Sequence, residues 1–183
     1  MKDALRMVAD LMALSACTAP KTLGQDFVSA RVISGDELNK LADAMERYGE
    51  EKGLVNFDRD AESIRASTAL LLLSLEHPEP AGLNCGNCGY GQCSKLKSTA
   101  DSPSGMHLCV WRVLDLGIAL GSAAKTAGLL NADNRIMGRP GTVAREIGMI
   151  KGELVIGIPI SATSKSIYFD RTGNQSGHAK LGM

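Results

Sequence analysis

The sequence is poor in aromatic residues, carries no net charge and contains no long hydrophobic run. Aromatic residues make up only 4% of the 183 positions, so Leu, Ile, Val and Ala must fill the core. Twenty basic and twenty acidic residues cancel, which excludes the basic surface expected of a nucleic-acid-binding protein. No apolar run approaches the roughly 18 residues that a membrane span requires. We therefore expect neither nucleic acid nor a membrane among its partners.

The sequence does contain a compact group of cysteines. Cys85, Cys88, Cys93 and Cys109 follow the spacing C-x2-C-x4-C-x15-C, and glycines lie between the first three. Thiolate is a soft ligand that favours iron–sulfur clusters or zinc over hard cations. Glycine permits positive φ and close approach, so the loop can curl around a metal and direct N–H groups at sulfur. The pattern predicts one metal centre with these four ligands, and clustered ligand cysteines indicate a reducing cytoplasm.

The spacing favours an iron–sulfur cluster over zinc. Structural zinc sites usually combine two cysteine knuckles, or one knuckle with a His pair, whereas Cys109 stands alone. A thioredoxin-like dithiol at Cys85 and Cys88 lacks the βαβ context that this motif needs. The segment 84–93 followed by Cys109 resembles the four-cysteine segment of electron-transfer and corrinoid-linked proteins of anaerobes. That resemblance implies a [4Fe–4S] cluster, with zinc as the alternative.

The fifth cysteine, Cys17, follows a stretch that imitates a bacterial lipoprotein signal. Asp3, Arg6 and Asp10 interrupt the apolar region that such a signal needs. The apolar residues recur instead at helical spacing, which predicts an amphipathic helix over 3–16. Cys17 is then expected to be a small buried residue at the helix end, remote from the metal centre.

The periodicity predicts a single α+β domain, 1–183, with a mixed sheet flanked by helices and the cysteine-rich segment 82–110 inserted. The near-continuous leucine of 69–75 is typical of a strand buried on both faces. A capping box at Ser34 and Glu37 opens one helix. The expected strands are 27–33, 69–75, 153–160 and 167–169; the expected helices are 3–16, Ser34 to about Gly53, 58–66, 109–130, and between Pro140 and Gly148.

The predicted helix 109–130 is unusually rich in small residues. Its glycines, Gly117, Gly121 and Gly128, each cost up to about 1 kcal/mol relative to alanine. Their presence implies close contact with another helix, a sheet or a flat ligand. Leu114 and Ile118, together with Ala124, are expected to face inward.

The chain as a whole resembles a family of uncharacterised prokaryotic proteins, mostly archaeal and anaerobic, described as containing a ferredoxin domain. Besides the cysteine segment, the matching stretches run nearly end to end: 18–21, 57–61, 115–119, 133–137 and 164–171. The resemblance is specific but supplies no activity.

A second resemblance is to flavin-dependent nitroreductases. It is carried by Ala19-Pro20 after the first helix, by the small-residue helix, and by the late Ile-Gly-Ile-Pro strand. It implies a nitroreductase-like fold, a homodimer and bound FMN, with Lys165 and Arg171 near the phosphate and Lys21 as a further contact. The family's N-terminal arginine-rich clamp is absent, and Lys21 replaces its serine. Alternatively, Lys21, Lys165 and Arg171 are solvent-exposed surface residues without a ligand.

These features predict an iron–sulfur redox protein, either an electron carrier or an oxidoreductase that passes electrons between a [4Fe–4S] cluster and a flavin or partner. Its expected partners are a redox protein or a small-molecule acceptor. The alternative is a structural or sensing module in which the metal only holds the loop in place. The sequence shows no acid–base pair or nucleophile triad, so it identifies neither catalytic residues nor a substrate.

Overall fold

A computed structural model describes residues 1–98 and 107–169 of the chain. The helices are α1 (Lys2–Thr18), α2 (Asp36–Lys52), α3 (Phe57–Arg65), α4 (Cys93–Ser98), α5 (Val110–Leu129) and α6 (Gly138–Glu146). The strands are β1 (Val28–Ser34), β2 (Ala69–Leu75), β3 (Asp133–Asn134) and β4 (Leu154–Ser161), and a 3₁₀ turn covers Thr22–Gly24. Among these helices, none combines the length and hydrophobicity needed to cross a bilayer.

The strands form one sheet in the order β1-β2-β4-β3. All three described pairings are antiparallel, and Leu75 of β2 lies opposite Val28 of β1 on one side and Leu154 of β4 on the other. Together with the helices, this sheet confirms the predicted α+β class.

Helices cover both faces of the sheet, and β2 shows how the core is divided. Leu71, Leu73 and Leu75 belong to the cluster formed with α1 and α5. Leu70 and Leu72 belong to the cluster formed with α2, α3 and α6. Because successive side chains of a strand point to opposite faces, a strand between two helix layers must be apolar throughout. Every residue of β2 is buried, as its leucine run predicts.

The close contact predicted from the small residues of α5 is made with α1. Ala119, Ala123 and Ala127 are all 0% exposed and lie in the cluster shared with α1. The Ser15 and Thr126 hydroxyls are 2.5 Å apart across this interface. Alanine on the inner face therefore lets the two helices approach, and no break interrupts α5 at its glycines.

The outer face of α5 corrects the prediction for this helix. Leu114 and Ile118 are 48% and 38% exposed, so they face outward, whereas Leu116 and Leu120 face inward. At Gly117, a Cβ atom would face open space within the described part of the chain. The same holds for the other two α5 glycines. The helix is apolar on both faces, and its periodicity consequently did not reveal which face is buried.

Three smaller predictions were wrong. Ser34 does not cap α2, because Gly35 with φ 60° occupies the N-cap and the Ser34 hydroxyl accepts a hydrogen bond from Arg6 at 3.2 Å. Cys17 is exposed in the last turn of α1. Residues 167–169 form a turn, in which the wholly buried Tyr168 lies 2.9 Å from the Ser67 hydroxyl.

Candidate metal centre

The four cysteines predicted as ligands line one cavity. Cys85 and Cys88 lie in the loop between β2 and α4, Cys93 is the first residue of α4, and Cys109 directly precedes α5. The loop curls through Gly86 and Gly89, three residues apart, which have φ values of 75° and 83°. Those left-handed conformations favour glycine and turn the chain sharply enough to bring the sulfurs to one side.

A small hydrophobic cluster forms part of the wall of this cavity. It contains Ala81, Leu96 and Cys109, all buried, with Tyr90 and Trp111 packed against it. This cluster is separate from the two clusters that line the sheet. The cysteine loop thus has an apolar base of its own.

Three of the cysteine sulfurs accept hydrogen bonds from N–H groups. The Val110 amide donates to Cys88 Sγ at 3.2 Å, and the Trp111 indole Nε1–H donates to Cys85 Sγ at 3.2 Å. The Asn84 amide donates to Cys93 Sγ at 3.4 Å. Such donors stabilise negative charge on sulfur, which is the state in which a thiol binds metal.

The thiols of this cavity differ in acidity. The backbone N–H of Asn87, followed by the Trp111 indole, lowers the pKa of Cys85. Burial raises the pKa of Cys88, and the negative charges of Cys109 and Cys85 add to that effect. One thiolate raises the pKa of another thiol only when the two lie close together. A bound cation would offset the repulsion between their negative charges.

Four cysteine thiolates can hold either a zinc ion or an iron–sulfur cluster. Within residues 1–98 and 107–169, no three His, Cys, Asp or Glu side chains stand close enough to hold one metal ion. A zinc ion with sulfurs at about 2.3 Å brings those sulfurs within roughly 3.8 Å of each other. A [4Fe–4S] cluster takes one thiolate per iron and so separates its cysteines further. The four cysteines around this cavity are a donor set suited to either group.

Of the residues predicted to contact a flavin phosphate, the structure describes Lys21 and Lys165. Lys21 Nζ donates to the carbonyl oxygens of Ala16 at 2.8 Å and Cys17 at 2.6 Å, and it lies 3.3 Å from Asp26. Its side chain is only 5% exposed, so in this arrangement it satisfies the C-terminal end of α1. Lys165 is exposed in the segment after β4. Arg171 lies outside the described residues.

Sequence reasoning did not select two residues that follow Cys109. Trp111 is the only tryptophan of the chain and donates to a cysteine sulfur. Arg112 is 0% exposed and pairs with Asp115 at 3.4 Å. The spacing of Arg112 and Asp115, three residues apart on a predicted helix, was the one signal available for the pair.

Comparison with known proteins identifies the family. Residues 106–171, which include Cys109 and α5, match the family model described as an uncharacterized protein containing a ferredoxin domain. An uncharacterized protein of Archaeoglobus fulgidus is 43% identical over 172 residues, covering 92% of this chain and 92% of that protein. The protein belongs to this ferredoxin-domain family. The family predicted from the sequence is thus confirmed.

The fold of this ferredoxin-domain protein is that of the nitroreductases. The FMN-dependent nitroreductase NfnB from Mycobacterium smegmatis, solved with NADPH, has a TM-score of 0.59 at 12% identity, covering 92% of this chain and 85% of that chain. Nitroreductase CinD from Lactococcus lactis, solved with nicotinic acid, has a TM-score of 0.57 at 12% identity, covering 87% and 79%. At these identities the likeness confirms the predicted fold alone. Family and fold together point to a redox function.

Proposed function

We propose that this protein is an electron-transfer protein or oxidoreductase in which Cys85, Cys88, Cys93 and Cys109 hold a [4Fe–4S] cluster. The observation that carries the proposal is the convergence of these four side chains on one cavity. The three N–H···S hydrogen bonds support it, because they lower the cost of holding negative thiolates there. The family description, which names a ferredoxin domain, agrees with it.

The residues of the chain would hold and tune such a group. When bound, a [4Fe–4S] cluster supplies one-electron transfer, and its potential depends on net charge, hydrogen bonds to sulfur and solvent exposure. The Trp111 indole and the Val110 amide are donors of this kind. Ala81 and Leu96 shield the cavity on its inner side, whereas Cys85 is exposed. Electrons would therefore enter or leave at the Cys85 edge.

We further propose a flavin as the electron partner within the protein, with α5 as its platform. The outward face of α5 has open space at Gly117 and Gly121, so a flat ring can approach the backbone there. Lys165 and Arg171 would compensate the flavin phosphate. Lys21 would join them only by leaving its contacts at the end of α1. The FMN dependence printed for NfnB agrees with this proposal.

The same outward face supports a homodimer as the working form. It carries Val113 and Leu114, 38% and 48% exposed, one turn before the open glycines. On the neighbouring helix α1, Met7 and Leu14 are 65% and 59% exposed. Large apolar side chains exposed on a helix face can mark an interaction site, and two-fold dimers are the commonest assembly. A second redox protein or a small-molecule acceptor would complete the electron path.

A structural or sensing role for the metal is the second candidate. It is favoured by one observation, the separation of the small hydrophobic cluster around Ala81 and Leu96 from the clusters that line the sheet. A loop with so little apolar support gains stability from a bound metal. In that case the metal would bind but would not change its redox state reversibly.

The test begins with protein purified without oxygen. We expect iron and sulfide in equal amounts, a broad visible absorption that dithionite bleaches, and an electron paramagnetic resonance signal in the reduced state. Cys88→Ser should lose the iron, because it removes a sulfur placed inside the cavity. Cys17→Ser is the matched control, since Cys17 is exposed on α1, outside the residues that line the cavity.

Three results would decide against the proposal. Metal-free protein with all five thiols reactive would refute a metal centre altogether. Bound zinc, or iron that dithionite does not reduce, would favour the structural module. Full iron content in Cys88→Ser would show that the ligand set is wrong.

For the flavin, FMN titrated into the iron-loaded protein should bind at micromolar concentration and bind more weakly to Lys165→Ala.

A further inference from the structure

A buried arginine connects the cysteine centre to a distant part of the chain. Arg112 lies three residues after Cys109 in the first turn of α5 and is 0% exposed. Its Nε donates to the Glu79 carbonyl at 2.9 Å, and Glu79 precedes the cysteine loop. One terminal nitrogen donates to the Thr22 carbonyl at 3.0 Å, and the other donates to the Gln25 side chain. One side chain thus joins α5, the entry to the cysteine loop and the segment after α1.

Asp115 completes this network and compensates the charge. It is 3% exposed and lies 3.4 Å from Arg112. Its Oδ1 accepts two hydrogen bonds from Thr22, one from the amide and one from the hydroxyl, both at 2.8 Å. Thr22 is consequently bound through its carbonyl to Arg112 and through its amide and hydroxyl to Asp115. Lysine could not replace Arg112, because an ammonium lacks the planar set of donors that reaches three groups at once.

The segment held by this network has a strained backbone. Leu23, in the turn Thr22–Gly24, has φ 59° and ψ 18°, a left-handed conformation that side-chain-bearing residues rarely adopt. Its side chain is 61% exposed, so packing of Leu23 itself does not stabilise the turn. Strained conformations persist only where their surroundings determine them. Here those surroundings are the contacts of Thr22 with Arg112 and Asp115.

We propose that Arg112 is a positioning residue through which the cysteine centre controls the order of the turn Thr22–Gly24. This inference rests on the proposed metal centre. A metal bound by Cys109 and by the loop that follows Glu79 fixes the two chain segments from which Arg112 reaches the turn. Metal binding then protects the turn, and loss of the metal releases it together with the neighbouring Lys21.

Hydrogen–deuterium exchange of the whole protein tests this coupling. The peptide covering 20–27 is compared in the metal-loaded form and after removal of the metal with ferricyanide and EDTA, with β2 as the internal reference. In the wild type, the metal should slow exchange of 20–27 by about tenfold, because several buried hydrogen bonds hold this segment. In Arg112→Lys, exchange should be fast in both forms while the metal still binds. Arg65→Lys, an exposed arginine paired with Asp43 and Glu46, should behave as the wild type.

The difference between the two forms distinguishes coupling from a merely structural role. If Arg112 only stabilised the turn, Arg112→Lys would speed exchange of 20–27 by the same factor with and without the metal. The metal would then still slow exchange in the variant as much as it does in the wild type. That result, or wild-type exchange that does not respond to the metal, would overturn the inference. So would an equal loss of protection in β2, since the effect would then be global. If Arg112→Lys does not fold, Thr22→Val removes one hydroxyl contact and should reduce the metal effect.

Metal analysis separates this inference from the proposed function. A protein that contains iron but shows no effect on 20–27 would overturn the inference and leave the metal centre intact. A protein that binds no metal would overturn both.

Discussion

Tyr168 provides a test of how the segment that carries Lys165 is held on the core. The Tyr168 ring is 0% exposed, and its hydroxyl lies 2.9 Å from the Ser67 hydroxyl. Because Ser67 Oγ already donates to the Ser63 carbonyl at 2.7 Å, we assign the phenol as the donor to Ser67. Burial raises the pKa of Tyr168 to about 12, since the phenolate would lose its hydration.

The raised pKa makes the stability depend on alkaline pH in a definite direction. The unfolded chain releases the phenolic proton from pH 10 upward, whereas the folded protein retains it to about 12. The stabilisation is therefore complete below pH 10 and is lost as the pH rises through the pKa of the folded state. At pH 11 this loss amounts to roughly 1–2 kcal/mol. Tyr168→Phe has no proton to lose and gives up the hydrogen bonding of the phenol, including the bond to Ser67, at a cost of about 1 kcal/mol at any pH.

Urea unfolding of the metal-loaded protein at pH 8 and pH 11 measures this difference. We expect Tyr168→Phe to be less stable than the wild type at pH 8 and about equally stable at pH 11. Other groups titrate in both proteins and cancel in the comparison. Tyr48→Phe, which alters a half-buried ring packed on Phe57, should keep the pH dependence of the wild type. Parallel losses in the wild type and Tyr168→Phe would refute the reasoning.

Three further substitutions test the centre, the assembly and the core. Trp111→Phe keeps the ring but removes an N–H donor to sulfur, so a redox titration should give a more negative cluster potential; an unchanged potential would contradict this. Ile118→Glu places a charge on the outward face of α5 and should convert a dimer to a monomer in light scattering, whereas an undisturbed dimer would locate the interface elsewhere. Gly141→Ala would overlap the Val155 carbonyl and should cost about 2 kcal/mol in urea unfolding, whereas Gly138→Ala in the same helix faces open space and should cost little.

The elements predicted correctly are those whose signals are local. The leucine run of β2 predicts a strand covered on both faces, because a half-exposed strand would alternate. The end of α2 at Gly53 follows from a left-handed residue, φ 63°, that glycine adopts without strain. Cysteine spacing predicts that these side chains meet, because three of the four lie within nine positions, and all four line one cavity.

The remaining features depend on contacts between distant segments. β3 is only two residues long and has no periodicity to detect. Lys21 folds back on α1 because the chain reverses after Ala19, and the sequence does not predict the direction of that reversal. The partners of Arg112 lie 33, 90 and 87 positions away, at Glu79, Thr22 and Gln25. The sequence alone therefore did not show that the Arg112 guanidinium is buried.

The position of α5 gives the proposed redox function a physical basis. Cys109 directly precedes this helix, and the Val110 amide at its first position donates to Cys88 Sγ. The N-terminal end of a helix carries about half a positive charge, which stabilises nearby thiolates. Arg112, in the first turn of the same helix, adds a fixed positive charge that is partly balanced by Asp115. Both effects favour the more negative, reduced state of a bound cluster and so raise its potential.

The same helix also relates the cysteine centre to the outward face proposed for the flavin. Gly117 lies seven residues after Val110, which is about 10 Å along the helix axis. A group resting on this glycine would therefore be close to the cysteine centre without touching its ligands. An outward glycine weakens a helix and contributes no packing, so a cause outside the described chain would explain its place about two turns beyond Cys109. The proposed flavin or a proposed second subunit would be such a cause, and Gly117→Leu would distinguish them from an incidental glycine. This substitution should block FMN binding or dimerisation while the iron content stays unchanged, and a variant normal in all three respects would remove the argument for α5 as the platform.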